Sequence, residues 1–240
     1  ALPAFKEVQG QQRGPSELHG AEGPLSVEDI TPLNPLTEAF FKAGDQLQYR
    51  RNDDFNGHRQ EGFGPYQVTQ KDGKRCSAAD AFLRPALERE NCSVTTQAMV
   101  RRIIIEDGSA TGVEVDIDGT RTVLTARKEI ILSGGAINSP QTLLLSGIGP
   151  ANELREAGVS VEHDLPGVGK NLQDHLDVTA QIWTKSDISI GNSLRSIPRH
   201  AYMMGRMMLM GDGPAFVNPV QGGAFIKSAY ADDLPDLQLV

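Results

Sequence analysis

The chain has 240 residues, enough for one large domain or two smaller ones, and 39% hydrophobic with 22% charged residues is an ordinary soluble composition. A net charge of −8 with no basic stripe argues against nucleic acid as a main partner. No apolar run approaches the roughly 20 residues of a membrane span. Two cysteines, Cys76 and Cys92, are too few for a disulfide framework, and the histidines show no metal-ligand spacing. Reduced thiols suit a cytoplasmic location, with peripheral attachment at the inner membrane as the alternative.

The first stretch is rich in Gly, Pro, Asn and Gln and carries one clear helix. Asn34 caps it, Pro35 suits its first turn, and Leu36, Ala39, Phe40, Ala43 and Leu47 share one face at helical spacing. Asn52 to Gly57 is dense in turn formers and reads as an ordered loop. Ser77 to Leu83 reads as a short helix stopped near Pro85. Three strands follow, over 94–105, 111–118 and 121–126, joined at Asp107-Gly108 and Asp118-Gly119, strong hairpin signals. Val113, Val115 and Ile117 alternate with acidic residues, so the middle strand has one wet face.

Glu129 to Ala136 reads as an apolar strand ending in paired glycines, followed by a helix with Ser139 as cap and Pro140 in its first position, stopping at Gly147. A second short helix fits Pro150 to Ala157, closed by Gly158. Gly167 to His175 is a glycine loop, 178–184 reads as a strand, and a methionine-rich helix runs over about 193–210. With Arg195, Arg199 and Arg206 that helix could meet a membrane surface or a partner, and an ordinary packed helix is the preferred reading.

The strand–Gly-Gly–helix unit carries the most chemistry. Glycines at a strand end let a phosphate or adenosine approach the backbone, and a helix start favours an anion. Its wording goes further. Gly135-Ala136-Ile137-Asn138-Ser139-Pro140-Gln141, then Leu144-Leu145-Ser146-Gly147-Ile148-Gly149-Pro150, resembles a signature of the glucose–methanol–choline (GMC) oxidoreductases, in the choline dehydrogenase and alcohol dehydrogenase branch. The loop Gly167 to His175 and the phrases Asp54-Phe55-Asn56-Gly57, Glu61-Gly62-Phe63-Gly64, Tyr66-Gln67 and Arg75-Cys76-Ser77-Ala78-Ala79 match the same family in the same order.

The resemblance implies a mixed α/β flavoprotein of p-hydroxybenzoate-hydroxylase-like architecture, with an FAD-binding domain and a substrate domain built on an antiparallel sheet. It would place 76–175 in the FAD domain, with 1–75 and 176–240 as two segments of the substrate domain. It implies FAD as cofactor, held on its adenine side by Val100 and by Ser133, Gly134 and Gly135, and a small-molecule alcohol as substrate. The reaction implied is oxidation of CH–OH by hydride transfer to flavin N5.

No G-x-G-x-x-G follows a strand here, and the family's catalytic histidine and its partner have no counterpart in this sequence. The chain is therefore expected to be an internal piece, inactive alone, with no catalytic residue and no metal site. His175 matches a structural loop rather than a base, and His58 has no carboxylate phrase to orient it. Asn91-Cys92-Ser93 fits a glycosylation pattern by accident. The rival readings are a non-catalytic binding module that kept the fold, or a flavoprotein of the same architecture acting on another bond.

Overall fold

The computed structural model describes residues 1–180, 197–210 and 220–240. The chain divides into two compact units, Ala1–Cys92 with Ile182–Val240, and Ser93–Gln181. The first begins with α1 (Leu2–Val8), β1 (Gln9–Gln11), β2 (Leu25–Asp29) and α2 (Pro35–Gln46). It continues through β3 (Gly62–Pro65), β4 (Gln67–Val68), β5 (Gln70–Lys71) and β6 (Lys74–Arg75) to a π-helical turn, Ala79–Leu83, and α3 (Arg84–Ala86). The second holds β7 (Ala98–Glu106), β8 (Ser109–Ile117), β9 (Thr120–Thr125), α4 (Gly135–Leu145), β10 (Ile148–Gly149), α5 (Ala151–Glu156) and β11 (His163–Asp164). The first unit then closes with α6 (Ile197–Met210), β12 (Gly222–Ile226) and β13 (Leu237–Leu239).

In the first unit the start of α2 is as the sequence predicts, with Asn34 Oδ1 accepting from the Leu36 N–H at 2.8 Å. Its buried face is only partly the expected one, since Phe40 packs on Phe63 but the aliphatic residues do not lead the contact. Phe41 and Gly44 are buried, while Leu36 and Leu47 are 43% and 70% exposed. Glycine decides this. A Cβ on Gly44 would lie 2.7 Å from the Phe63 ring, so the helix rests on that ring at its one residue without a side chain.

Across the contact, a Cβ on Gly222 would lie 2.5 Å from Phe41 Cζ. The core is Phe41, Phe63 and Ala224, with Leu33, Phe40, Tyr49 and Ile226 packed around it. It lies on an antiparallel sheet ordered β13-β12-β3, in which Ala224 pairs with both Phe63 and Leu239. A second sheet, ordered β1-β2-β4, mixes a parallel and an antiparallel pair.

The helical turn after Cys76 stops near Pro85, as expected, with α3 ending at Ala86. The π-helical turn carries the chain into α3 with Pro85 inside it, the cap N–H of Arg84 reaching back to Ala79 O. The wider i→i+5 turn accommodates the proline ring that an α-helical turn would reject.

In the second unit the meander is as expected, ordered β7-β8-β9. Both Asp-Gly pairs sit with positive φ, 49° and 75° at Asp107-Gly108, 49° and 80° at Asp118-Gly119, the signs a type I′ turn requires. One face presents Val113, Val115 and Ile117, with Val115 2% exposed. The other carries a charge ladder. Arg101 pairs with Asp116, Arg102 with Glu114, and Arg121 reaches both acids. A bulge between Val100 and Arg102 lets consecutive arginines serve that one face.

Two expectations fail after the meander. Residues 129–134 form no strand, and Ile131 is 79% exposed. No described segment pairs with this run, and an apolar run becomes a strand only when its backbone groups are paired along an edge. The helix then begins at Gly135 with Gly134 as N-cap, so Ser139 does not cap it and Pro140 lies inside it. The left-handed turn at Gly135, φ 86°, starts the helix one turn earlier than the Ser-Pro pair suggests. The ring of Pro140 deprives the Ala136 carbonyl of its usual donor.

The helix ends as predicted at Gly147, φ 81°, and α5 ends at Gly158, φ 74°. Of the strand expected over 178–184, residues 178–180 carry no regular structure and the rest lies outside the described residues. The methionine-rich helix is present as Ile197–Met210; Arg195 lies outside the described residues. No helix among the described residues is long and apolar enough to cross a membrane.

Candidate functional site

The expected cofactor contacts fall on two elements of the second unit. Val100 lies on β7, paired with Val115 and 41% exposed, immediately before the bulge. Ser133, Gly134 and Gly135 form the exposed turn into α4. The two glycines differ. A Cβ on Gly134 would lie 3.2 Å from Asn138 Cβ and 3.2 Å from Ser139 N, a tight fit against the helix it caps. A Cβ on Gly135 would meet nothing within 4 Å. Gly135 is thus glycine for its backbone conformation and leaves open space in front of the first turn of α4, whose N–H groups lack intrahelical acceptors.

The residues fit a dinucleotide approaching the backbone at that turn. The glycines further along are packing residues instead. A Cβ on Gly147 would lie 2.4 Å from Ser160 O, and one on Gly149 would lie 2.4 Å from Leu144 Cδ2.

A polar relay fixes the helix to the strand. The Ile103 N–H donates to Ser146 Oγ at 2.7 Å, and Ser146 Oγ donates to Thr142 O at 2.6 Å, with both serine and threonine buried. This joint is at the C-terminal end of α4, and Gly135 lies about 16 Å away along the helix at 1.5 Å per residue. Val100 lies three residues before Ile103 on the strand. The structure therefore anchors both elements in one frame through Ile103 and Ser146.

Two histidines need correction or addition. His58 does have a carboxylate beside it, Glu17, with Nε2 to Oε2 at 3.4 Å, though both side chains are exposed. His175 is exposed and its backbone N–H donates to the Asp174 side chain, as suits a loop residue. The residue that sequence reasoning passed over is His19. It is 8% exposed, with Nδ1 3.0 Å from Gln9 Oε1 and Nε2 2.9 Å from Asp54 Oδ2. Asp54 in turn accepts from the Asn56 N–H, so His19 fastens the loop of Asp54 to Gly57 to β1. Its signal was the His-Gly pair beside a glycine-rich stretch. Among the described residues no group of three or more His, Cys, Asp or Glu side chains is placed to hold a metal ion.

The second unit thus joins an antiparallel meander to a helix that starts on an exposed glycine turn, through the Ile103–Ser146 hydrogen bond. The chain belongs to the GMC oxidoreductase family, whose model matches residues 1–177. It is 42% identical over 99% of its length to an alcohol dehydrogenase [acceptor] from Pseudomonas putida, of which it covers 44%. It is 40% identical, again over 99%, to an oxygen-dependent choline dehydrogenase from Brucella ovis, covering 43% of it. The chain thus spans less than half the length of these curated relatives. Among solved structures it resembles pyridoxine 4-oxidase from Mesorbium loti, with 36% identity and a TM-score of 0.68 over 72% of this chain and 34% of that one. Formate oxidase from Aspergillus oryzae, at 23% identity and a TM-score of 0.80 over 93% of this chain and 40% of that one, shares the fold.

Proposed function

We propose that this chain is a segment of a longer FAD-dependent enzyme that oxidises the CH–OH group of a small alcohol, choline-like or aliphatic, in the cytoplasm. The observation that carries the reading is Gly135, which combines φ of 86° with empty space where a side chain would stand, at the start of α4. Family membership and the names of the two curated relatives support the chemistry. When bound, the flavin supplies the hydride acceptor. The residues of this chain bind and orient. Ser133, Gly134 and Gly135 admit the adenine side of the dinucleotide to the backbone, the first turn of α4 offers N–H donors, and Val100 lies along the same moiety from β7. In this reading Ser93–Gln181 belongs to the FAD-binding domain. The discontinuous first unit belongs to the substrate domain, residues 76–92 included, because they cluster with it.

Gly135→Asn tests the proposal in the full-length protein. Asparagine tolerates a left-handed φ, so the turn survives while a side chain fills the open space. The expected outcome is loss of flavin on desalting, read as flavin absorbance per chain, with an unchanged circular dichroism spectrum. Flavin retained at the wild-type ratio would overturn the assignment.

A further inference from the structure

A pocket of about 150 Å³ lies in the first unit, lined by Gln48, Tyr49, Arg50, Arg59, Glu61 and Gly62. Its walls are well fixed. Gln48, with φ 62°, reverses the chain after α2, so the Tyr49 N–H bonds Gly44 O at 3.0 Å and the Tyr49 ring packs on Phe63 at 5.2 Å. The Phe63 N–H then donates to Arg50 O at 2.9 Å. On the opposite wall the Asn52 side-chain amide donates to Arg59 O and Gln60 O at 2.8 and 3.0 Å. Gly62, at φ 134°, would place a Cβ 2.9 Å from Arg50 O, so that wall has no room for a side chain.

The charges at this pocket are unbalanced. Most arginines nearby are engaged: Arg51 holds Asp45 through two hydrogen bonds of 2.7 Å and lies over the Phe41 ring, and Arg13 holds Asp29. Arg50 and Arg59 are exposed, their side chains have no hydrogen bond or ion pair among the described residues, and both residues line this one small cavity. The only acid on its wall, Glu61, faces Lys227 at 3.9 Å. Two forked cations with no protein acceptor, beside a cavity too small for a large ligand, match the flat oxygen pairs of a carboxylate or phosphate group.

We propose that this pocket is an oxyanion-binding site in which Arg50 and Arg59 clamp a phosphate or carboxylate group. The site lies wholly within the first unit and is independent of the flavin reading. Inorganic phosphate and acetate are the probes, titrated separately into the full-length holoenzyme by calorimetry at ionic strength held constant with sodium chloride. Saturable binding is expected for at least one of them. Phosphate alone identifies a phosphate class, and acetate competing with phosphate identifies carboxylates as well.

Arg59→Gln and Arg50→Gln should each weaken binding by about tenfold or more, the worth of one charged hydrogen bond. Glu61→Gln should tighten it, because a like charge leaves the wall. Arg127→Gln, on the other unit, should change nothing. Should an Arg→Gln variant fail to fold, Arg59→Lys keeps the charge and loses the fork, and is expected to weaken binding less. Heats that do not saturate, or arginine variants and Glu61→Gln that bind like the wild type, would refute the site.

Discussion

Around Phe63 the core is drawn from distant parts of the chain: Phe41 from α2, Phe63 from β3 and Ala224 from β12. In the meander each strand pairs with its immediate neighbour in sequence, through two-residue turns. The first arrangement depends on close approach, with glycines at 44, 64 and 222 each standing where a Cβ would collide with a ring or a backbone atom. The second depends on alternation and turn chemistry, and its loop glycines, 108 and 119, touch nothing within 4 Å. The first is therefore intolerant of added atoms, whereas the second, apart from Gly112, whose Cβ would lie 2.7 Å from Leu124 O, is sensitive to backbone strain and lost hydrogen bonds.

The sharpest test of this contrast is Gly64→Ala. A Cβ there would stand 1.6 Å from Asn52 O, so β3 or the segment beside it must move. A loss above about 4 kcal/mol is expected, as for severe overpacking at a fixed backbone, read as a collapsed thermal transition or failure to express in soluble form. A variant of near wild-type stability would mean that the close approach is not what holds this sheet. Second in size is Ser146→Ala. It strips the buried Ile103 N–H of its acceptor and should cost about 1–3 kcal/mol, the penalty of an unsatisfied buried donor. Urea midpoints measure the cost, and faster amide exchange at Ile103 locates it.

These two sites also show why the sequence was legible in parts. The meander, its turns and the cap at Asn34 could be read because each signal lies within a few residues of its effect. The face of α2 was misread in part because aliphatic count favours Leu36 and Leu47, whereas Phe63 and Gly222 choose Gly44 and Phe41 from 19 and 181 residues away. Ser139-Pro140 is a sound helix start in isolation. A left-handed glycine four residues earlier overrode it, and only the three-dimensional turn reveals that sign of φ. Gly135 could be named as a site residue from its wording, but its difference from Gly134, open against packed, could not. His19 escaped because its partners, Gln9 and Asp54, flank it at unrelated spacings.

A smaller effect separates strain from packing. Gly119→Ala adds a methyl into empty space at φ 80°, so packing predicts no cost and backbone strain predicts about 1–2 kcal/mol. Gly119→Asn should recover most of it, because asparagine accepts that conformation more readily. Equal destabilisation by Ala and Asn would point to a contact at this turn instead.

The smallest expected effect lies on the wet face of the meander, and its pH dependence identifies it. A side-chain hydrogen bond from Arg101 holds the Asp116 carboxyl below its usual range, the charges of Arg101 and Arg121 adding to it against a desolvation that works the other way. In the unfolded chain this carboxyl titrates near about 3.9. On acidification the unfolded state therefore takes up its proton first. The contribution to stability is whole at neutral pH, declines once the pH falls past the unfolded value, and is gone below the lowered native one. Arg101→Gln removes most of the depression. The variant should be slightly less stable than the wild type at pH 7, and the gap between their urea midpoints should close as pH drops below about 4. Added salt should narrow the same gap at neutral pH, because the pair is exposed to screening. A gap that persists unchanged down to pH 2 would assign the loss to the packing of the Arg101 stem on the strand rather than to its charge.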